Sequence, residues 1–148
     1  MEFKDLIADF AERHNVSGLV AYGNAAALDI DGIVVTIVAS NDRVIISADL
    51  GEPPAEGAAA FADLLLEASL QTDAFFAKAS ESGAYMVVRR MPLQALDGEA
   101  FDSALEAFVN QTETWRRLLA DYRPAAKAAA ERSAAENPSF GSTGFMQV

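Results

Sequence analysis

The sequence predicts an α+β domain with a mainly antiparallel, twisted sheet packed against helices, and three observations lead there. Apolar residues recur at helical spacing near both ends and in the middle of the chain. Between these stretches lie short runs rich in β-branched residues, two of them separated by Asp31-Gly32, a strong hairpin signal. Helices and strands are interspersed without strict alternation, in the order helix, three strands, helix, two strands, helix.

The first helix is expected over residues 2–14. Phe3, Leu6, Ile7, Phe10 and His14 lie near one face, and Asp5, Asp9 and Glu12 recur on the other. Gly18 marks a break. Three strands follow, at 26–30, 33–39 and 43–50, joined by Asp31-Gly32 and by the turn at residues 40–42. The middle run, residues 33–38, is apolar on both faces, whereas a one-sided strand should alternate. A cover for the second face is therefore expected, and with it a partner. Pro53 and Pro54 end the third strand, because proline cannot continue a ladder.

A second helix is expected over residues 57–71, with Phe61, Leu64, Leu65 and Ala68 at the right spacing. Leu66 and Leu70 widen its stripe beyond one face, as in a helix that packs on two sides. Two further strands, 75–79 and 84–91, are joined by a turn at 80–83, and Pro92 closes the second. The last helix begins at Asp97, a good N-cap, with Glu99 in its first turn. Phe101, Leu105, Phe108, Thr112, Trp115 and Leu119 form one face of about five turns. Pro124 bends or ends it, an alanine-rich stretch follows, and the chain finishes Gly/Ser-rich. Residues 1–122 are expected to form one domain, and 123–148 a tail that is either weakly ordered or docks on its own dimer or another component.

At 148 residues the chain is about one domain's worth. Eleven basic against 22 acidic residues give a net charge of −11. Such a field disfavours nucleic acid and anionic membranes and keeps an apolar surface soluble, although a generically acidic proteome would give the same balance. The absence of cysteine excludes disulfides and thiolate catalysis. The start, Met-Glu-Phe-Lys-Asp, lacks the features of a signal peptide. The apolar stretch 16–39 is interrupted by Asn24, Asp29 and Asp31, unlike a membrane span. A soluble cytoplasmic protein is expected.

No catalytic residue, metal site or cofactor is expected. His14 is the single histidine, at the end of an apolar helix face, where packing is the commoner role. One imidazole and no thiol leave a nucleophilic triad or a transition-metal cluster unsupported. Residues 29–32 share the opening of a calcium loop but lack its remaining ligands, and they fall where a turn is needed. Residues 141–144 have the small side chains of a phosphate loop without its lysine. Arg89-Arg90 and Arg116-Arg117 read as surface or interface charges, too few for nucleic acid. An enzyme using carboxylates alone would need two acids in a deep pocket.

Several segments together resemble the class I chaperones of bacterial type III secretion, the Tir-chaperone family. Phe3, Leu6, Ile7 and Phe10 are similar to the family's first helix. Residues 48–54, Ala-Asp-Leu-Gly-Glu-Pro-Pro, resemble the passage from its third strand into a Gly-x-x-Pro loop. Residues 61–70, Phe-Ala-Asp-Leu-Leu-Leu-Glu-Ala-Ser-Leu, are similar to its second helix. Residues 91–101, Met-Pro-Leu-Gln-Ala-Leu-Asp-Gly-Glu-Ala-Phe, continuing to Phe108, Val109 and Trp115, resemble its last strand, capping aspartate and final helix. The likeness covers about residues 2–122; residues 123–148 have no counterpart in it. It implies a homodimer that binds the N-terminal region of a secreted effector without catalysis. On this expectation Leu6, Phe10, Val34 and Ile45 contribute to effector grooves, and Leu66, Leu70, Phe75 and Phe76 to the dimer contact. A regulatory protein of the same fold, sequestering another chaperone or a transcription regulator, is the alternative.

Overall fold

The computed structural model describes residues 2–14, 16 and 18–123. The tail expected over 123–148 lies, beyond Arg123, outside the described residues. Three α-helices, α1 (Phe3–His14), α2 (Ala58–Ala68) and α3 (Gly98–Ala120), pack against a six-stranded sheet. Its strands are β1 (Val20–Tyr22), β2 (Ala25–Ile30), β3 (Ile33–Ser40), β4 (Arg43–Gly51), β5 (Ala74–Lys78) and β6 (Tyr85–Pro92). They lie in the order β1-β2-β3-β4-β6-β5, with every neighbour antiparallel. The α+β class and the element order therefore stand, with two additions. The short strand β1 precedes the expected three, and a single 3-10 turn, Leu93–Ala95, links β6 to α3.

Turn chemistry sets the register of the meander. Ile30 pairs with Ile33 across a two-residue turn in which Asp31 (φ 53°) and Gly32 (φ 85°) are both left-handed. That is the turn whose twist matches a right-twisted hairpin. The Asp29 carboxylate accepts a hydrogen bond from the Gly32 amide at 2.8 Å, so its oxygen serves the turn. Ser40 pairs with Arg43 in the same way, with Asn41 (φ 48°) and Asp42 (φ 65°) in the left-handed region those residue types tolerate.

The core lies on one face of the sheet. Leu28, Ile33, Val35, Ile37, Val44, Ile46 and Val87 point into it and meet Leu6 and Phe10 of α1, Phe61 and Leu65 of α2, and Phe101, Leu105 and Phe108 of α3. Thr112, the one buried polar residue among those described, donates its hydroxyl proton to the Phe108 carbonyl at 2.8 Å, so its burial leaves no unmet donor. Asp97 caps α3 as its sequence suggested, accepting from the Ala100 amide at 2.8 Å. Near the other end of α3, a bulge between Asp49 and Gly51 frees the Asp49 carbonyl to accept from Arg116 Nε at 2.9 Å. Around Phe61 an aromatic cluster closes the α2 side: Tyr85 stacks at 5.8 Å between centroids, while Trp115 and Tyr122 approach edge-on at 6.1 and 5.0 Å.

Candidate partner-binding surfaces

Period-2 alternation places the remaining strand side chains on the face opposite the core. Register aligns Val20, Ala27, Thr36, Ser47, Val88 and Phe75 in one row across the sheet. Tyr22, Ala25, Val38, Ile45 and Arg90 form the next. Val34, on the same face, is 54% exposed. None of these side chains joins the buried core, and no described helix covers them. The expected cover over β3 is therefore not supplied by the described part of this chain. Apolar side chains outnumber the polar Thr36, Ser47 and Arg90 in these two rows, and the Arg90 guanidinium lies 5.0 Å from the centre of the Phe75 ring, a cation–π contact.

A second surface is the outward side of α2. Phe61 and Leu65 turn inward, whereas Leu66 and Leu70 are 65% and 86% exposed and Leu64 is exposed beside them. A shallow cavity of about 190 Å³ runs from Leu66 along Phe76, Lys78 and Tyr85. The exposed leucines, this cavity and β5, the edge strand of the sheet among the described residues, form one apolar margin of the molecule.

A groove between α1, α3 and the β2–β3 hairpin is the third. It encloses about 380 Å³, with Phe10, Ile30, Leu105 and Val109 as its apolar lining and Asp31, Asp102 and Glu106 among its polar groups. One wall is fixed by ions. Arg13 forks onto Asp102, with one bond of 2.9 Å to Oδ1 and a second to Oδ2. It also donates to Asp9 Oδ2 at 2.9 Å and to the Gly98 carbonyl at 3.2 Å. His14 Nε2 lies 2.9 Å from Asp102 Oδ2, and its ring packs on Phe10 with centroids 4.6 Å apart. Hydrogen bonding from Arg13 holds the Asp102 carboxyl below the usual carboxylate range, partial burial opposes this, and His14 adds to it. The bonds to Asp102 and Asp9 push Arg13 further up in turn. Among the described residues no group of three or more histidine or acidic side chains is arranged to hold a metal ion.

The residues singled out by sequence are distributed over these surfaces unevenly. Leu6 has no exposed surface and serves the core beneath α1, where helix periodicity alone could not separate an inner from an outer apolar position. Phe10 is also core but lines the groove. Val34 and Ile45 share the open sheet face. Phe75 shares that face too rather than the α2 margin, because adjacent strand residues point to opposite sides; Phe76 points inward, 5.1 Å from the Trp115 ring, and reaches the α2 cavity. Leu66, Leu70 and Phe76 remain together. Val38 and Val88 belong to strands whose sequence is apolar on both faces, which was the available signal for them; sequence reasoning did not single out Val20 and Tyr22 on the short β1, or the groove residues Ile30, Glu106 and Val109, which come together only in three dimensions.

Comparison with known proteins agrees with this architecture. The family model described as Tir chaperone protein (CesT) family matches residues 5–116. At the level of whole sequences, no curated protein matches the chain. Among solved structures, the fold is similar to the HopA1–SchA chaperone–effector complex, with TM-score 0.65, 17% identity, and 78% of this chain and 93% of that one covered. It is similar to the ExsC–ExsE complex at TM-score 0.68 and 23% identity, covering 82% and 93%. It is also similar to the Yersinia pestis type III secretion chaperone SycH, solved with a stable fragment of YscM2, at TM-score 0.63 and 15% identity, covering 77% and 99%. Among the described residues, no helix is long and apolar enough to cross a membrane. With more than half of its length matched by the family model, the chain belongs to the Tir chaperone protein (CesT) family.

Proposed function

We propose that this protein binds the N-terminal region of a type III secreted effector in the bacterial cytoplasm and keeps it soluble and competent for export, acting as a homodimer without catalysis. The observation that carries this reading is the apolar sheet face left open by the described part of the chain. A contiguous exposed apolar surface on a soluble protein marks a binding site, and an extended polypeptide matches its geometry, laying side chains on the rows or adding a strand at an edge. Family membership gives the same direction, and SchA and SycH are chaperones solved with a bound polypeptide. The α2 margin, with Leu66, Leu70 and Phe76, is the surface for the second copy. The acidic surface repels like-charged copies and offsets the stickiness of both apolar areas.

The test is native capture from the source cytoplasm, with mass spectrometry of the retained polypeptide and limited proteolysis of the complex. Protection of a segment near the client's N-terminus supports the reading, and repeated recovery of no polypeptide defeats it. Recovery of a transcription regulator or another chaperone in place of an exported protein favours the regulatory alternative. Sedimentation at micromolar concentration should give twice the monomer mass; a clean monomer removes the homodimer.

A further inference from the structure

The groove between α1, α3 and the β2–β3 hairpin carries a more specific inference. Its lining is apolar on all three sides, from Phe10 on α1, Ile30 at the end of β2, and Leu105 and Val109 on α3. Its polar groups differ in availability. Asp102 is already engaged by Arg13 and His14, and Arg13 by Asp102, Asp9 and the Gly98 carbonyl. Asp31 at the hairpin tip and Glu106 on α3 are exposed and, among the described residues, have no cation within ion-pair distance. Arg13 is shared by Asp9 and Asp102, which leaves the Asp31 and Glu106 carboxylates on the groove without a cation of their own among the described residues. The groove combines an apolar bed with uncompensated negative charge from the hairpin and from α3.

We propose that this groove receives a polypeptide segment that sets one large apolar side chain on the bed and a lysine or arginine beside it against Asp31 and Glu106. The inference rests on the chaperone reading and names the chemistry of one client segment. Charge complementarity selects the occupant: an acidic flank would meet two unpaired carboxylates, whereas a basic flank neutralises them. A small polar metabolite is disfavoured, because among the described residues no unengaged buried polar group lines the cavity to orient it.

Short fluorescein-labelled peptides that differ only in flanking charge test this with the full chain. Each carries one central phenylalanine in a glycine–serine context, flanked by lysines, glutamines or glutamates. Two exposed ion pairs predict that the lysine peptide binds about fivefold to tenfold tighter than the glutamine peptide. The glutamate peptide should bind weakest, and raised salt should compress the series. The double variant Asp31→Asn, Glu106→Gln should bring all three peptides within about twofold of one another. The charge-matched control Glu56→Gln, Glu81→Gln, at exposed loop positions, should leave the preference intact. Equal binding of the three peptides by the wild type overturns the inference, as does a preference that survives in the Asp31/Glu106 variant or vanishes in the control. Displacement of the lysine peptide by free lysine at the same concentration overturns it in favour of a small-cation site. A client captured undiminished by the Asp31/Glu106 variant also defeats it while sparing the chaperone reading, which falls only if the wild type captures no polypeptide.

Discussion

Replacing Phe61 with alanine should cost this domain a large part of its stability. The ring is 1% exposed and lies between three aromatic neighbours, Tyr85, Trp115 and Tyr122, with centroids 5.0 to 6.1 Å away. Truncating a buried phenylalanine costs about 3–5 kcal/mol through lost burial and the residual cavity. Aromatic pairs contribute about 0.5–1.5 kcal/mol each beyond area, so about 4 kcal/mol is expected at this site. That is a large fraction of the 5–15 kcal/mol typical of a folded domain, and at about 4 °C per kcal/mol it lowers the melting temperature by about 15 °C. Urea unfolding, followed by the fluorescence of the single tryptophan and by circular dichroism, measures the change at fixed protomer concentration. Leu66→Ala is the internal reference. It lies on the same helix but is exposed, so its intrinsic cost should stay within about 0.5 kcal/mol. A Phe61→Ala loss below about 1.5 kcal/mol, or a Leu66→Ala loss equal to it in the monomer, would refute the two-sided account of α2.

Three further perturbations follow from contacts already described. Asp102 is held below its ordinary range in the folded state, so the Arg13–Asp102 pair stabilises above the ordinary carboxylate value and is lost as pH falls through the depressed one; Arg13→Met should flatten that acid limb of the urea midpoint, and an unchanged limb would remove the assignment. A methyl group at Gly98 would stand 2.6 Å from Asp9 Oδ2 and 3.0 Å from Arg13 Nη2, the mobile ends of two exposed side chains, so Gly98→Ala should displace that ion pair while gaining helix propensity, for a net change within about 1 kcal/mol in urea unfolding; a loss above about 2 kcal/mol would show that the joint cannot yield. Leu66→Asp with Leu70→Asp should leave circular dichroism unchanged and convert the proposed homodimer to monomer in sedimentation; a persistent dimer would place the interface elsewhere.

Much of the fold was legible because it rests on local chemistry. Asp31-Gly32 and Asn41-Asp42 provide left-handed turns without help from the rest of the molecule, and Asp97 caps α3 with its own carboxylate. The strand β1 was not legible, since three residues are too few for a period to show. The candidate sites were legible only as an excess of apolar side chains. Which of Leu6 and Phe10 reaches a surface, and whether Phe75 or Phe76 faces the helices, depends on register and packing. The groove walls needed still more: Asp31 on a hairpin and Glu106 on the last helix are neighbours only once α3 has docked.

The strand order has a consequence for how the chain acquires its shape. The first four strands form a meander of sequence-local contacts, the kind that assembles rapidly and early, as the N-terminal half leaves the ribosome. The far edge of β4, nine residues long, must then wait for β6, which arrives only after α2 and β5 have been synthesised. During that interval a long unpaired edge beside apolar rows is open to any passing extended segment. The nascent molecule is thus briefly exposed to the misassembly that its finished form is proposed to prevent in others.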